Sequence, residues 1–434
     1  MSDAEEKAST AGTTVAQDGT VDGSETVVEV VEETPAADLM GPSAPREGGF
    51  TIPWRDIATT AVAFVLAFVV GAILMVVSDA EVISKFAYLV YAPGDALGAA
   101  WDKISAAYGA LLVGSLGSWG AITETTAQAA PLICAGLGVG LAFRAGLFNI
   151  GGQGQAIWGS ILAAYAGFAF HLPPVIHLLV AIIFGVVGGA VWGGVVGWLK
   201  AKAGAHEVIV TIMMNYIAAG LLAFLLTTTA FKRPGRADPI APVVDWNATF
   251  PRLEGGRLHL GFLLALIAAG VVWWLLERST IGFAIRAVGA NPHAAGTAGM
   301  SVARTTIITM TVAGALAGLA GVQYALAPTG IGTAVPLSVG LVGSVGFDAI
   351  TVALLGRSRP IGTVLAGLLF GAMHAGGLTM QSIAGTPLTL TTVLQALIVL
   401  FVAAPALVRT VAPFLKQKRV RSVPAAKATT GATA

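Results

Sequence analysis

Between residues 57 and 408 the chain alternates long apolar runs with short clusters of charge. A helix needs about 20 apolar residues to cross the hydrocarbon of a bilayer, so each run reads as one span or two. Residues 57–78 predict a first span and 125–143 a second. Residues 145–199 hold no Lys, Arg, Asp or Glu over 55 positions, and His171-Leu172-Pro173-Pro174 divides them into a third and a fourth. Residues 208–231 predict the fifth and 258–276 the sixth. The uncharged run 305–347 breaks near Pro328-Thr329-Gly330 and Pro336, which predicts a seventh span and an eighth ending near Gly356. The run 360–408 breaks near Gly385-Thr386-Pro387 into a ninth and a tenth. The stretch 82–120 mixes apolar patches with Lys85, Asp95, Asp102 and Lys103, and reads as an outer loop with short interfacial helices. The expected class is an all-α polytopic membrane protein of about ten transmembrane helices.

An even number of spans leaves both termini on one side. The loops after the even spans carry Arg144, then Lys200 and Lys202, then Arg278, Arg286 and Arg304, then Arg357 and Arg359. Basic loops mark the cytoplasm. The loop 232–257 falls outside despite five bases, but it also holds Asp238, Asp245 and Glu254, and the rule weakens in longer loops.

Composition agrees. Of 434 residues only 11% are charged, where a soluble domain carries about 25%. The single cysteine, Cys134, excludes an intramolecular disulfide. Residues 1–50 hold eleven acids and two bases with no helical period, and read as a disordered acidic cytoplasmic tail. Residues 51–412 form the transmembrane domain. From Arg409 onward there are six bases and no acid, so 413–434 read as a basic cytoplasmic tail. That composition suits anionic membrane lipid; no nucleic-acid partner is expected.

The residues 146–155 ask for explanation. Asn149, Gln153 and Gln155 and four glycines open an uncharged run. Unpaired amides in hydrocarbon cost several kcal/mol each. They line a polar pathway or they bond between helices, and both readings stay open. Asn215, beside Thr211 one turn earlier, poses the same choice. Glu124, Arg144, Glu207 and Asp348 sit near predicted helix ends and read as interfacial charges or caps. Gly185, Gly189, Gly193 and Gly197 recur every fourth residue, a helix-packing signal.

The inside loop 277–304 has 28 residues, more than a connection requires. Asn291 suits an N-cap and Pro292 a first helical position. Such a short helix, with Arg286, Gly289, His293 and Ala294 around it, is a docking surface for an energising partner or merely a connection, and the length of the loop favours docking. No G-x-x-x-x-G-K-[ST] loop occurs, His206-Glu207 lacks the second His of a zinc peptidase helix, and no catalytic constellation is indicated.

The segment Phe143-Arg144-Ala145-Gly146-Leu147-Phe148-Asn149-Ile150-Gly151 resembles a motif of bacterial ABC-importer permeases serving sugars, branched-chain amino acids and nucleosides. Three further blocks resemble the nucleoside (basic membrane lipoprotein-linked) branch. They are 204–216 (Gly204-Ala205-His206-Glu207 through Met214-Asn215-Tyr216), 287–295 (Ala287-Val288-Gly289-Ala290-Asn291-Pro292-His293-Ala294-Ala295) and 346–356 (Gly346-Phe347-Asp348 through Leu354-Leu355-Gly356). The chain departs from the family's usual Glu at Gln153, and from its frequent Asn at His206. The resemblance implies a type II-like importer permease that moves nucleosides and binds no cofactor itself. ATP would be bound by a partner. The implied partners are a second homologous permease, a cytoplasmic ABC ATPase and an extracytoplasmic substrate-binding lipoprotein. A sugar or branched-chain amino acid permease is the near alternative. An ion-coupled secondary transporter would need an ionisable group deep in a span, and the predicted spans contain none.

Overall fold

Fourteen α-helices and one 3-10 turn build the described residues, 54–253, 256–329 and 332–404, of the computed structural model. The acidic tail 1–50 and the basic tail 413–434 lie outside the described residues. In chain order the helices are α1 (Trp54–Ser78), α2 (Ala80–Phe86), α3 (Pro93–Leu116), α4 (Trp119–Arg144) and α5 (Gly152–Ala169). There follow α6 (Pro174–Ala203), α7 (Glu207–Leu225), α8 (Leu260–Arg278), α9 (Thr280–Ala290) and α10 (Pro292–Thr297). The last four are α11 (Val302–Leu326), α12 (Val345–Leu355), α13 (Pro360–Ala384) and α14 (Leu388–Ala403).

Among the described residues, seven helices are long and apolar enough to cross a membrane: α1 from Ala58 on, α4, α6, α7, α8, α11 and α13. All seven match expected spans. The expected third and tenth spans are the shorter helices α5 (18 residues) and α14 (16 residues). The expected eighth span is corrected. Only 11 residues of it are helical, as α12. Before them the chain is irregular, because Pro336 cannot join a helix ladder and Gly332, Gly340 and Gly343 take positive φ. An isolated bridge ties Ile240 to Ser338 there.

The outer loop expected at 82–120 is also corrected. Its second half is the 24-residue helix α3. One charge that argued against a helix is matched: Lys103 Nζ pairs with Asp79 at 2.7 Å and donates to the Ala384 carbonyl at 2.7 Å. Asp79 in turn caps α2 by accepting from Glu81 N and Val82 N. Lys103 holds the Asp79 carboxyl below its ordinary range.

Helices α4 and α11 form the centre. Their most apolar windows are 83% and 72% buried within this chain, against 22% for α1 and α7, which run along the outside. The glycine ladder of α6 packs on α11: a Cβ on Gly189 would strike the Gly314 carbonyl, and one on Gly193 would strike that of Met310. Dispersion between closely approaching backbones replaces the hydrophobic effect that lipid cannot supply.

Candidate functional site

The segment 145–151 leaves α4 through Gly146 at φ +69; the N–H groups of 145–147 bond back to the Ala142 and Phe143 carbonyls, and 148–150 then run irregularly to the start of α5. The remaining backbone groups therefore need partners from side chains. Asn149 Oδ1 accepts from Gly151 N at 3.0 Å, and Asn149 and Gln155 exchange amide bonds at 3.2 and 3.3 Å. From α7, Asn215 Oδ1 accepts from Gly154 N at 2.8 Å, and its Nδ2 donates to the Ile150 carbonyl at 3.0 Å. Thr211 Oγ1 donates to Val208 O at 3.0 Å. Asn149, Gln155, Thr211 and Asn215 are all buried. Asn149, Gln155 and Asn215 brace the irregular segment between helices, while the Thr211 hydroxyl bonds within its own helix.

Gln153 differs. It is half-buried, and it reaches across to the start of α12. Its Nε2 donates to the Gly343 carbonyl at 2.6 Å and its Oε1 accepts from Gly346 N at 2.8 Å. Both bonds together need an amide; a carboxylate could only accept.

Beside this bridge the structure collects ionisable groups. Asp348 lies half-buried in the first turn of α12, and its Oδ2 accepts from Ser344 Oγ at 2.9 Å. His374, exposed on α13, and Tyr324, half-buried on α11, lie within electrostatic reach of it. Asp348 stands at a helix end, as the sequence reading has it, and also belongs to this cluster. Sequence reasoning missed His374 altogether. The signal was present: it is the lone histidine of the uncharged run 360–408, in the middle of α13. The other three charges stand at helix ends too. Glu124 near the start of α4 pairs with Arg257 at 2.7 Å, Arg144 closes α4, and Glu207 opens α7 in a 2.5 Å pair with Lys200.

The loop 277–304 folds as α9 and α10. Asn291 is the N-cap of α10, with its Oδ1 accepting from Ala294 N at 3.0 Å, and Pro292 takes the first helical position. Asn291, Pro292, His293 and Ala294 are exposed, whereas Ala295 is buried. Arg286 and Gly289 face the protein instead. Arg286 is half-buried and stands 3.9 Å from Glu277. Gly289 packs backbone to backbone on the end of α4, where a Cβ would strike the Arg144 carbonyl. Arg144 Nε donates to Ser358 O at 3.1 Å, in the turn between α12 and α13. The expected docking residues thus divide into an exposed set at 291–294 and an inward set that rests on α4.

A bundle of apolar helices with polar groups at its interior ends defines an integral membrane protein. The model of a family described as branched-chain amino acid transport system / permease component matches residues 121–403. The guanosine ABC transporter permease protein NupP of Bacillus subtilis (strain 168) is 40% identical over 319 residues, 73% of this chain and 90% of that protein. The nucleoside ABC transporter permease protein NupB of Lactococcus lactis subsp. cremoris (strain MG1363) is 33% identical over 385 residues, 86% of this chain and 97% of that protein. The glucose ABC transporter permease protein TsgB13 of Haloferax volcanii is 32% identical over 307 residues, 68% of this chain and 79% of that protein. No solved structure matches the chain. The chain belongs to the branched-chain amino acid transport system / permease component family. Its relatives are membrane subunits of ABC transporters, which are not themselves enzymes.

Proposed function

We propose that this chain is the permease subunit of an ABC importer that carries nucleosides across the cytoplasmic membrane, energised by ATP bound on a partner. The observation that carries the reading is 40% identity with a guanosine permease over 90% of that protein's length. The geometry supports it. Asp348 and His374 stand on helices within the bundle and are not enclosed by it. Ionisable groups at membrane depth avoid lipid and face water or one another. A hydrated route along them needs a second wall, which suits a second homologous permease. Residues 291–294, exposed on α10, offer the ATPase a rigid contact, and the packing of Gly289 on α4 carries a push there into the bundle. A substrate-binding lipoprotein would deliver from the opposite face. Both termini would then be cytoplasmic, as the basic loops expect.

The test is uptake of labelled guanosine by cells that lack the chain and by the same cells with it restored. Restored, energy-dependent uptake is expected; no difference would overturn the proposal. A sugar permease is the second reading, favoured by the 32% identity to a glucose permease, and labelled glucose in the same cells decides between them.

A further inference from the structure

The polar side chains gathered where α5 meets α12 are nearly all saturated. Asn149, Gln155 and Asn215 spend their amides on one another and on backbone. Gln153 uses both ends of its amide on Gly343 and Gly346. Asp348 is the exception. Its Oδ2 accepts from Ser344, but among the described residues its Oδ1 accepts no hydrogen bond. The His374 ring, exposed on the neighbouring helix, likewise makes no hydrogen bond among the described residues.

The depth matters. From Asp348 to the end of α12 at Leu355 the helix rises about 10 Å, roughly a third of the hydrocarbon thickness. A free anionic oxygen set that far into a helix of the bundle is costly unless water or a ligand meets it. Gly343, Ser344 and Phe347 around it are exposed, so the approach is open. Proton coupling is a poor account of the pair, since ATP supplies the work in this family.

We propose that Asp348 is a substrate-binding residue, whose carboxylate accepts hydrogen bonds from a vicinal hydroxyl pair on the sugar moiety of the passing substrate. The inference rests on the function proposed above, with ribose as the moiety. Two hydroxyls on adjacent carbons present two donors at a spacing that one carboxylate can accept. The buried amides, already paired, leave Asp348 as the free acceptor of the site. His374 adds a ring nitrogen from the facing helix.

The experiment uses the complete transporter in membrane vesicles, with guanosine and 2′-deoxyguanosine each supplied at concentrations that saturate the binding partner. The deoxy compound breaks the hydroxyl pair and keeps the base. Asp348→Asn is expected to lower guanosine uptake roughly fivefold while leaving 2′-deoxyguanosine uptake unchanged, the loss of about one hydrogen bond. Should that variant not reach the membrane, Asp348→Glu shifts the carboxylate by one methylene, and the guanosine preference is expected to fall in the same direction. An equal loss for both compounds would assign Asp348 to structure and overturn the inference, as would an unchanged preference. Failure of the unaltered transporter to carry guanosine would instead overturn the function on which the inference rests.

Discussion

Gln153 and Gly346 meet backbone to side chain: the glutamine Oε1 accepts from the glycine N–H at 2.8 Å, while its Nε2 holds Gly343 O at 2.6 Å. One amide thereby ties the start of α5 to the start of α12. A Cβ on Gly346 would strike the Gln153 backbone nitrogen, so the approach depends on glycine. Gln153→Glu keeps the accepted bond and loses the donated one. Transport is expected to fall by a factor of roughly two to ten. Gly346→Ala forces the two helix starts apart and is expected to abolish uptake. Uptake rates normalised to the amount of protein in the membrane check both; an unaltered rate in Gly346→Ala would refute the close contact.

Asn215 is expected to act through stability. Truncation to Ala strands the Gly154 N–H and the Ile150 carbonyl in a buried place. The expected loss is about 1–3 kcal/mol per stranded group. Thermal unfolding in detergent should show a lowered midpoint for Asn215→Ala, with substrate preference unchanged in the variant that survives.

The apolar runs made most of the bundle legible in the sequence, because hydropathy over a span is a local property. What escaped depended on partners distant in the chain. Lys103 looked like a loop residue because its acid, Asp79, and its carbonyl, at Ala384, come from other elements. The amides at 149–155 left two readings open because their bonding partners at Asn215 and Gly346 lie on α7 and α12. The prolines and glycines after Leu326 were visible, but the shortness of α12 was not, since an apolar run does not reveal where backbone bonding resumes. The Asn291–Pro292 helix start was legible for the opposite reason: capping is local chemistry.

On α9 and α10, position decides the phenotype. Ala294 is exposed and Ala295 is buried. Ala294→Asp is expected to leave folding intact and to lower ATP-driven uptake severalfold. Ala295→Trp is expected to lower the amount of folded protein, because a large ring has no room there. Cysteine at 294 should crosslink to the ATPase, and cysteine at 295 should not. The reverse crosslinking pattern would contradict the assignment.

His259 predicts a pH dependence at the other end of the bundle. Its Nδ1 accepts from Gly261 N at 3.1 Å and its ring stacks on Phe250. Burial, with Arg257 nearby, pushes its pKa down from 6.5 to about 4. A proton therefore binds the unfolded form more readily. The stabilising contribution is complete above 6.5 and is lost as pH falls through about 4. Hydrogen exchange at residues 259–262 should accelerate across that window, and His259→Gln should remove the dependence.

The most direct measurement is guanosine accumulation in proteoliposomes that hold this chain with its partner permease, ATPase and binding protein. Accumulation that requires interior-facing ATPase and ATP, and that stops when this chain is omitted, is the predicted result. Accumulation without ATP, driven by an imposed proton or sodium gradient, would contradict it.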